Sequence, residues 1–64
     1  MKVLLRNPPR ELEMAGPLAV SSLLRRLEVN RESVLVIVDG TLVAGDATVP
    51  DTATVEVRPV ISGG

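Results

Sequence analysis

The chain contains no Cys, His, Phe, Tyr or Trp. Without cysteine there is no disulfide framework, no thiolate metal site and no thiol nucleophile. Without histidine the usual general base near neutral pH is missing, and without aromatic rings nothing offers nucleic acid bases a stacking platform. An excess of one charge is lacking too. Seven basic and eight acidic residues leave a formal net charge of -1, so no long-range field recruits polyanions. Long hydrophobic runs are also missing. The opening Met1-Lys2-Val3-Leu4-Leu5 stops at Arg6, too short for a signal-peptide core, and no later segment approaches a membrane span. These absences argue against an enzyme and predict a cytoplasmic protein with no membrane or direct nucleic acid partner, no bound cofactor and no metal.

What is present is aliphatic patterning. At 64 residues the chain forms one domain that buries only roughly 60% of its unfolded surface. Lys2 to Asn7 is β-prone and ends at Pro8-Pro9, where proline supplies no N–H to a ladder. Arg10 to Met14 alternates as a returning strand, completing a hairpin. Past Gly16-Pro17, Val20, Leu23, Leu24 and Leu27 fall at helical spacing, with Ser21, Arg25 and Arg26 elsewhere on the surface. No Ser, Thr, Asp or Asn caps this helix ahead of Val20, a deficit of about 1 kcal/mol. Asn30 to Ser33 reads as a loop. Val34 to Val38 is an unbroken strand, read as the central one, bounded by the turn dipeptide Asp39-Gly40. Thr41 to Val43 is a short strand and Ala44 to Thr52 is irregular. Thr54 to Arg58 alternates as the last strand, which Pro59 ends. Hairpin, helix and three further strands are the β-grasp order. The predicted fold is α+β, a mixed four- to five-stranded sheet packed on one helix, over residues 1–64, with 60–64 as a flexible functional tail.

The tail ends in Gly63-Gly64. Acyl transfer at a chain terminus requires a carboxylate delivered deep into a partner's active site, and glycine keeps that approach narrow and free of Cβ clashes. Gly64 is therefore the candidate reacting residue, Gly63 the slim approach, and Ile61 and Ser62 the extended neck. A carboxylate is a poor electrophile until activated, most simply as an acyl-adenylate from ATP, after which a persulfide sulfur can displace AMP and leave a thiocarboxylate. The chain has no phosphate loop of its own, so a separate activating enzyme is implied.

The start Met1-Lys2-Val3, the helix core Val20, Leu23, Leu24 and Leu27, the stretch Val34 to Gly40, the segment Val55-Glu56-Val57 and the ending Ile61-Ser62-Gly63-Gly64 together resemble the ThiS and MoaD family of ubiquitin-like sulfur carrier proteins, over the whole chain. The resemblance implies adenylation of Gly64 by an enzyme of the ubiquitin-activating kind, with ATP bound by that partner. It further implies a sulfur donor such as a cysteine desulfurase or rhodanese, and an acceptor synthase in thiamine (thiazole) synthesis, tRNA thiolation or molybdopterin synthesis. The length is nearer to ThiS-like carriers, while the Ile61-Ser62-Gly63-Gly64 ending looks more like carriers for tRNA 2-thiolation. The aromatic residue that many relatives carry near the tail is missing.

Sheet parity supplies a second candidate surface. One helix covers one face of a sheet. If the chain pairs as ubiquitin-like proteins do, Val36, Val38, Val55 and Val57 face the helix, and Leu35, Ile37, Leu4 and Arg58 turn outward as an aliphatic docking patch with a basic neighbour. Asp39, Asp46 and Asp51 sit in turn settings, where Asp caps backbone N–H groups, and are not read as a metal or acid-base cluster. Arg25-Arg26 reads as a solvated helix face. Beside the sulfur carrier, the residues leave open a protein modifier joined through Gly64 to a lysine, and a plain β-grasp interaction module.

Overall fold

The computed structural model describes residues 1–6 and 9–60. Five strands form the main sheet: β1 (Lys2–Arg6), β2 (Pro9–Glu13), β4 (Val34–Val38), β5 (Thr41–Leu42) and β7 (Thr54–Pro59), in the order β2-β1-β7-β4-β5. Two short strands, β3 (Leu18–Ala19) and β6 (Thr48–Val49), pair antiparallel beside it. A single α-helix, α1 (Val20–Arg26), and a 3₁₀ turn at Arg31–Ser33 complete the described elements. The β-grasp expectation holds, with five strands in the main sheet.

The centre of the sheet differs from the sequence reading. It is β7, parallel to β1 and antiparallel to β4, whereas the aliphatic run Val34–Val38 lies one place toward the edge. An unbroken apolar run marks burial rather than position. In β7 the alternation of Val55 and Val57 with Glu56 and Arg58 masks the central place. The irregular reading of Ala44 to Thr52 also gives way, because Thr48–Val49 is a strand too short to show a period. Met14 lies just outside β2, and Pro9 begins it. Proline is tolerated there because β2 is an edge strand whose outer side needs no donor. Asn30 to Ser33 is not plain loop: Asn30 caps the 3₁₀ turn by accepting from the Glu32 N–H.

The missing helix cap is answered by the backbone. Ala19 occupies the cap position with no side-chain bond. Instead the Val20 N–H donates to the Ala47 carbonyl at 2.9 Å and the Ser21 N–H to Gly45 at 3.1 Å, so a loop supplies acceptors to the orphan amides of the first turn. At the other end Glu28 adopts φ 58. The Val29 N–H reaches Leu24 and the Glu28 N–H reaches Arg25, the paired closing bonds of a Schellman stop. Asp39 and Gly40, at φ 49 and 85, make the two-residue turn from β4 to β5.

The core lies between the helix and one sheet face. Val20, Leu23 and Leu24 from α1 meet Val3, Val36, Val55 and Val57, with Val49, Ala53 and Met1 closing one end, all buried. The Met1 ammonium donates to the Met14 carbonyl at 2.6 Å, and the Gly16 N–H donates to Asp51 Oδ1 at 2.7 Å. No described helix is long and apolar enough to cross a membrane.

Candidate functional site

Because β7 is central, its register sets what each face displays. Val3 pairs with Val55, Leu5 with Val57 and Val36 with Val57, and these valines are buried against the helix. The intervening residues turn away from it. Leu4 and Ile37 both stand opposite Glu56, on either side of it, and Leu35 stands opposite Arg58. Leu4 and Ile37 are half-buried, while Leu35 and Arg58 are exposed. Leu42, across from Ile37, extends the patch and is 61% exposed. All four residues singled out for docking therefore share the helix-free face.

That face has a charged centre that sequence reasoning missed. Glu56 Oε2 accepts from Arg6 Nε at 2.8 Å and lies 2.7 Å from Arg6 Nη2 and 2.7 Å from Arg58 Nε. Two guanidinium groups converge on one carboxylate oxygen, so the cluster carries one surplus positive charge beside Leu4, Ile37 and Leu35. The hydrogen bond from Arg6 holds the Glu56 carboxyl below the usual carboxylate range, against partial desolvation and with help from the charge of Arg58. The signal was present in the chain. Glu56 sits between two inward valines and two residues before Arg58, which assigns both charges to one face.

Of the three turn aspartates Asp39, Asp46 and Asp51, the first and the last accept backbone N–H groups as expected. Asp39 Oδ1 accepts from the Thr54 N–H at 3.0 Å and Asp51 Oδ1 from Gly16. That amide bond and the nearby N-terminal ammonium lower the Asp51 pKa. Among the described residues, no group of three or more His, Cys, Asp or Glu side chains is placed to hold a metal ion.

The tail follows directly from β7. Pro59 pairs with Val34 as the last residue of the strand, and the Val60 N–H donates to the Ser33 carbonyl at 2.8 Å. Val60, assigned to the tail from sequence, is thus still tied to the sheet. Ile61, Ser62, Gly63 and Gly64 lie outside the described residues.

A family model of the small archaeal modifier protein 2 matches residues 4–61, nearly the whole domain. The chain belongs to that family. Among solved structures it is similar to the crystal structure of the thiamine biosynthesis protein ThiS from Geobacter metallireducens, with 32% sequence identity, 100% of both chains covered and a TM-score of 0.65. It is also similar to an NMR solution structure of a thiamine biosynthesis protein from Geobacter metallireducens, at 29% identity over 100% of this chain and 88% of that one, with a TM-score of 0.61. Family and neighbours agree with the ThiS/MoaD resemblance, and the chain is a ubiquitin-like protein of the sulfur carrier and modifier kind.

Proposed function

We propose that the chain is a sulfur carrier and a protein cosubstrate rather than a catalyst, with Gly64 as its reacting residue. The observation that carries this reading is the membership of a carrier and modifier family in a chain whose last strand leads directly to Gly63-Gly64. The Gly64 carboxylate attacks the α-phosphorus of ATP in an activating enzyme and pyrophosphate leaves. The terminal sulfur of a partner's persulfide then attacks the acyl carbon and displaces AMP, giving an acyl disulfide. A second partner thiol cleaves that disulfide, leaving a thiocarboxylate on Gly64 and a disulfide on the partner. The chain contributes no thiol to these steps. Its part is presentation, by the Ile61-Ser62 neck and by the face formed by Leu4, Leu35, Ile37 and Arg58, where the activating enzyme docks. The ThiS similarity favours thiamine synthesis as the acceptor pathway, ahead of tRNA thiolation and molybdopterin synthesis.

The family description favours a second reading that shares the activation step. In it a lysine amine of a target attacks the acyl carbon of the adenylate, AMP leaves, and the amine loses a proton to form an isopeptide bond. Intact-mass measurement of the protein from its native cell separates the two: exchange of one oxygen for sulfur supports the carrier, and a ladder of larger covalent adducts supports the modifier. Deleting Gly64, or Gly63→Val, is expected to abolish ATP–pyrophosphate exchange with the cognate activating enzyme while leaving the melting curve in place. A β-branched residue there narrows the backbone and widens the chain. Undiminished exchange after the deletion would remove both readings.

A further inference from the structure

The two open edges of the main sheet are not alike. The β2 edge presents Pro9, Arg10, Glu11 and Glu13, all exposed, the charged and proline-bearing sequence that discourages strand pairing. The opposite edge is blunted only in part. β5 pairs with β4 at Ile37 and Val38 alone, and one more bond runs from the Val43 N–H to the Val36 carbonyl. The pairing of β4 with β7 uses alternate residues: the Val60 N–H bonds to Ser33 and the Asp39 N–H to Thr54. In an antiparallel ladder this sends the backbone groups of Leu35 and Ile37 toward β7 and those of Val34 and Val36 the other way. The N–H and C=O of Val34 and the N–H of Val36 therefore face an edge that β5 does not reach.

A cavity of about 190 Å³ lies along this stretch, with Val20, Leu24, Val34, Val36 and Val43 among its lining, Leu35 and Leu42 on the side of the helix-free face, and Arg31 and Gly45 at its border. Gly45 on its border accepts from the Ser21 N–H in the first turn of α1. The Arg31 guanidinium reaches across to Gly45, coming within 3.0 Å of where a Cβ on that glycine would stand. A neighbouring depression shares Leu24 and Arg31 and adds Arg25. No acidic side chain lines either one.

We infer that this edge accepts an extended segment of a partner protein as an added strand, with an aliphatic side chain of that segment in the cavity and an acidic residue beside Arg31 and Arg25. The backbone groups that β5 leaves without a partner call for a strand, the apolar lining for an aliphatic residue, and the basic rim for an acid. A second copy of this chain fits poorly, because β5 of each copy would meet the other's 3₁₀ turn at Arg31–Ser33 once Val34 and Leu35 were paired. The edge borders the helix-free face at Leu35 and Leu42 and the end of β7 at Pro59, but the inference does not depend on the chemistry of Gly64.

The test uses the full chain, labelled with ¹⁵N, and a synthetic acetylated and amidated peptide Glu-Val-Ile-Val-Asp. In the free protein the amides of Val34 and Val36 should exchange with solvent at least tenfold faster than those of Leu35 and Ile37. On titration, shift changes should centre on Val34 to Val36 and Val43, and Val34 and Val36 should gain protection. Arg31→Glu should weaken binding at least tenfold, and Arg31→Lys should keep most of it. Four results would each overturn the inference: protected Val34 and Val36 amides before any peptide is added; shift changes centred on Leu4 and Ile37 or on β2; equal affinity for a peptide with lysine in place of both acids; or shifts at Val34 to Val36 that grow with protein concentration alone. The last would assign the edge to self-association. None bears on ATP–pyrophosphate exchange, so failure here and failure of the sulfur carrier reading can be told apart.

Discussion

The two faces of the main sheet are built from the same strands and are held together in different ways. On the inner face Val3, Val36, Val55 and Val57 are at most 5% exposed, pressed against Val20, Leu23 and Leu24 of the helix. On the outer face the residues between them, Leu4, Ile37 and Glu56, are only half-buried, by cross-strand neighbours and by the arginines that meet Glu56. The inner face derives its stability from water excluded around close-packed aliphatics. The outer face gains small cross-strand contributions and keeps an aliphatic surface with a fixed charge pattern. With one helix among the described residues, only one face of the sheet is covered, and the other stays open to solvent.

The same charge placed on adjacent residues of β4 should act differently on the two faces. Val36→Asp puts a carboxylate into the core, where desolvation costs several kcal/mol. A chain of 64 residues has about 3 to 10 kcal/mol of stability in total, so this variant is expected to be unfolded at 25 °C. Ile37→Asp places its charge on the open face and should cost about 1–2 kcal/mol, mostly lost aliphatic contact, with a native circular dichroism spectrum. If the face docks the activating enzyme, ATP–pyrophosphate exchange by Ile37→Asp should fall at least tenfold even where the protein is fully folded. Equal losses of stability in the two variants would show that the faces are not distinct. Undiminished exchange would move the docking surface elsewhere.

Much of this asymmetry was legible in the chain. Helical spacing at Val20, Leu23, Leu24 and Leu27, the β-branched run at Val34 and the Asp39-Gly40 turn are local signals, and local signals survive folding. Parity with a single covering helix leaves one face open, and the pairing that the ubiquitin-like resemblance implies placed Leu4, Leu35, Ile37 and Arg58 on it. What could not be read depends on partners distant in sequence. Thr48–Val49 becomes a strand because Leu18–Ala19 lies beside it, and the uncapped helix starts at Val20 because Gly45 and Ala47 lend it carbonyls. The central place of β7 follows from its parallel pairing with β1, some fifty residues away in sequence, which no window on the chain contains. The Glu56 cluster needs both facts at once: Arg58 is local to it, but Arg6 arrives only through that parallel pairing.

The smallest expected effect is also the most specific to the outer face. Glu56→Gln keeps the shape of the side chain and removes the charge that Arg6 and Arg58 share. The folded-state pKa of Glu56 lies below its ordinary value of 4.5, chiefly through the Arg6 hydrogen bond. A carboxylate shifted in this direction adds stability above its unfolded pKa and loses it as the pH falls through the folded value. The melting midpoint of Glu56→Gln should therefore lie slightly below that of the unaltered protein at pH 7, and the gap should narrow below about pH 4.5 and close once Glu56 is protonated. Since the pair is open to solvent, about 1 M salt at pH 7 should narrow the gap as well. Asp51→Asn serves as a comparison away from this face. Its carboxyl is also lowered, by the Gly16 N–H and the N-terminal ammonium, so it should titrate with the same sign while leaving ATP–pyrophosphate exchange unchanged. Differential scanning calorimetry between pH 3 and 8 measures both gaps. A Glu56→Gln gap that persists undiminished at pH 3 would mean that the substitution acts through packing, and the charged centre of the outer face would lose its energetic basis.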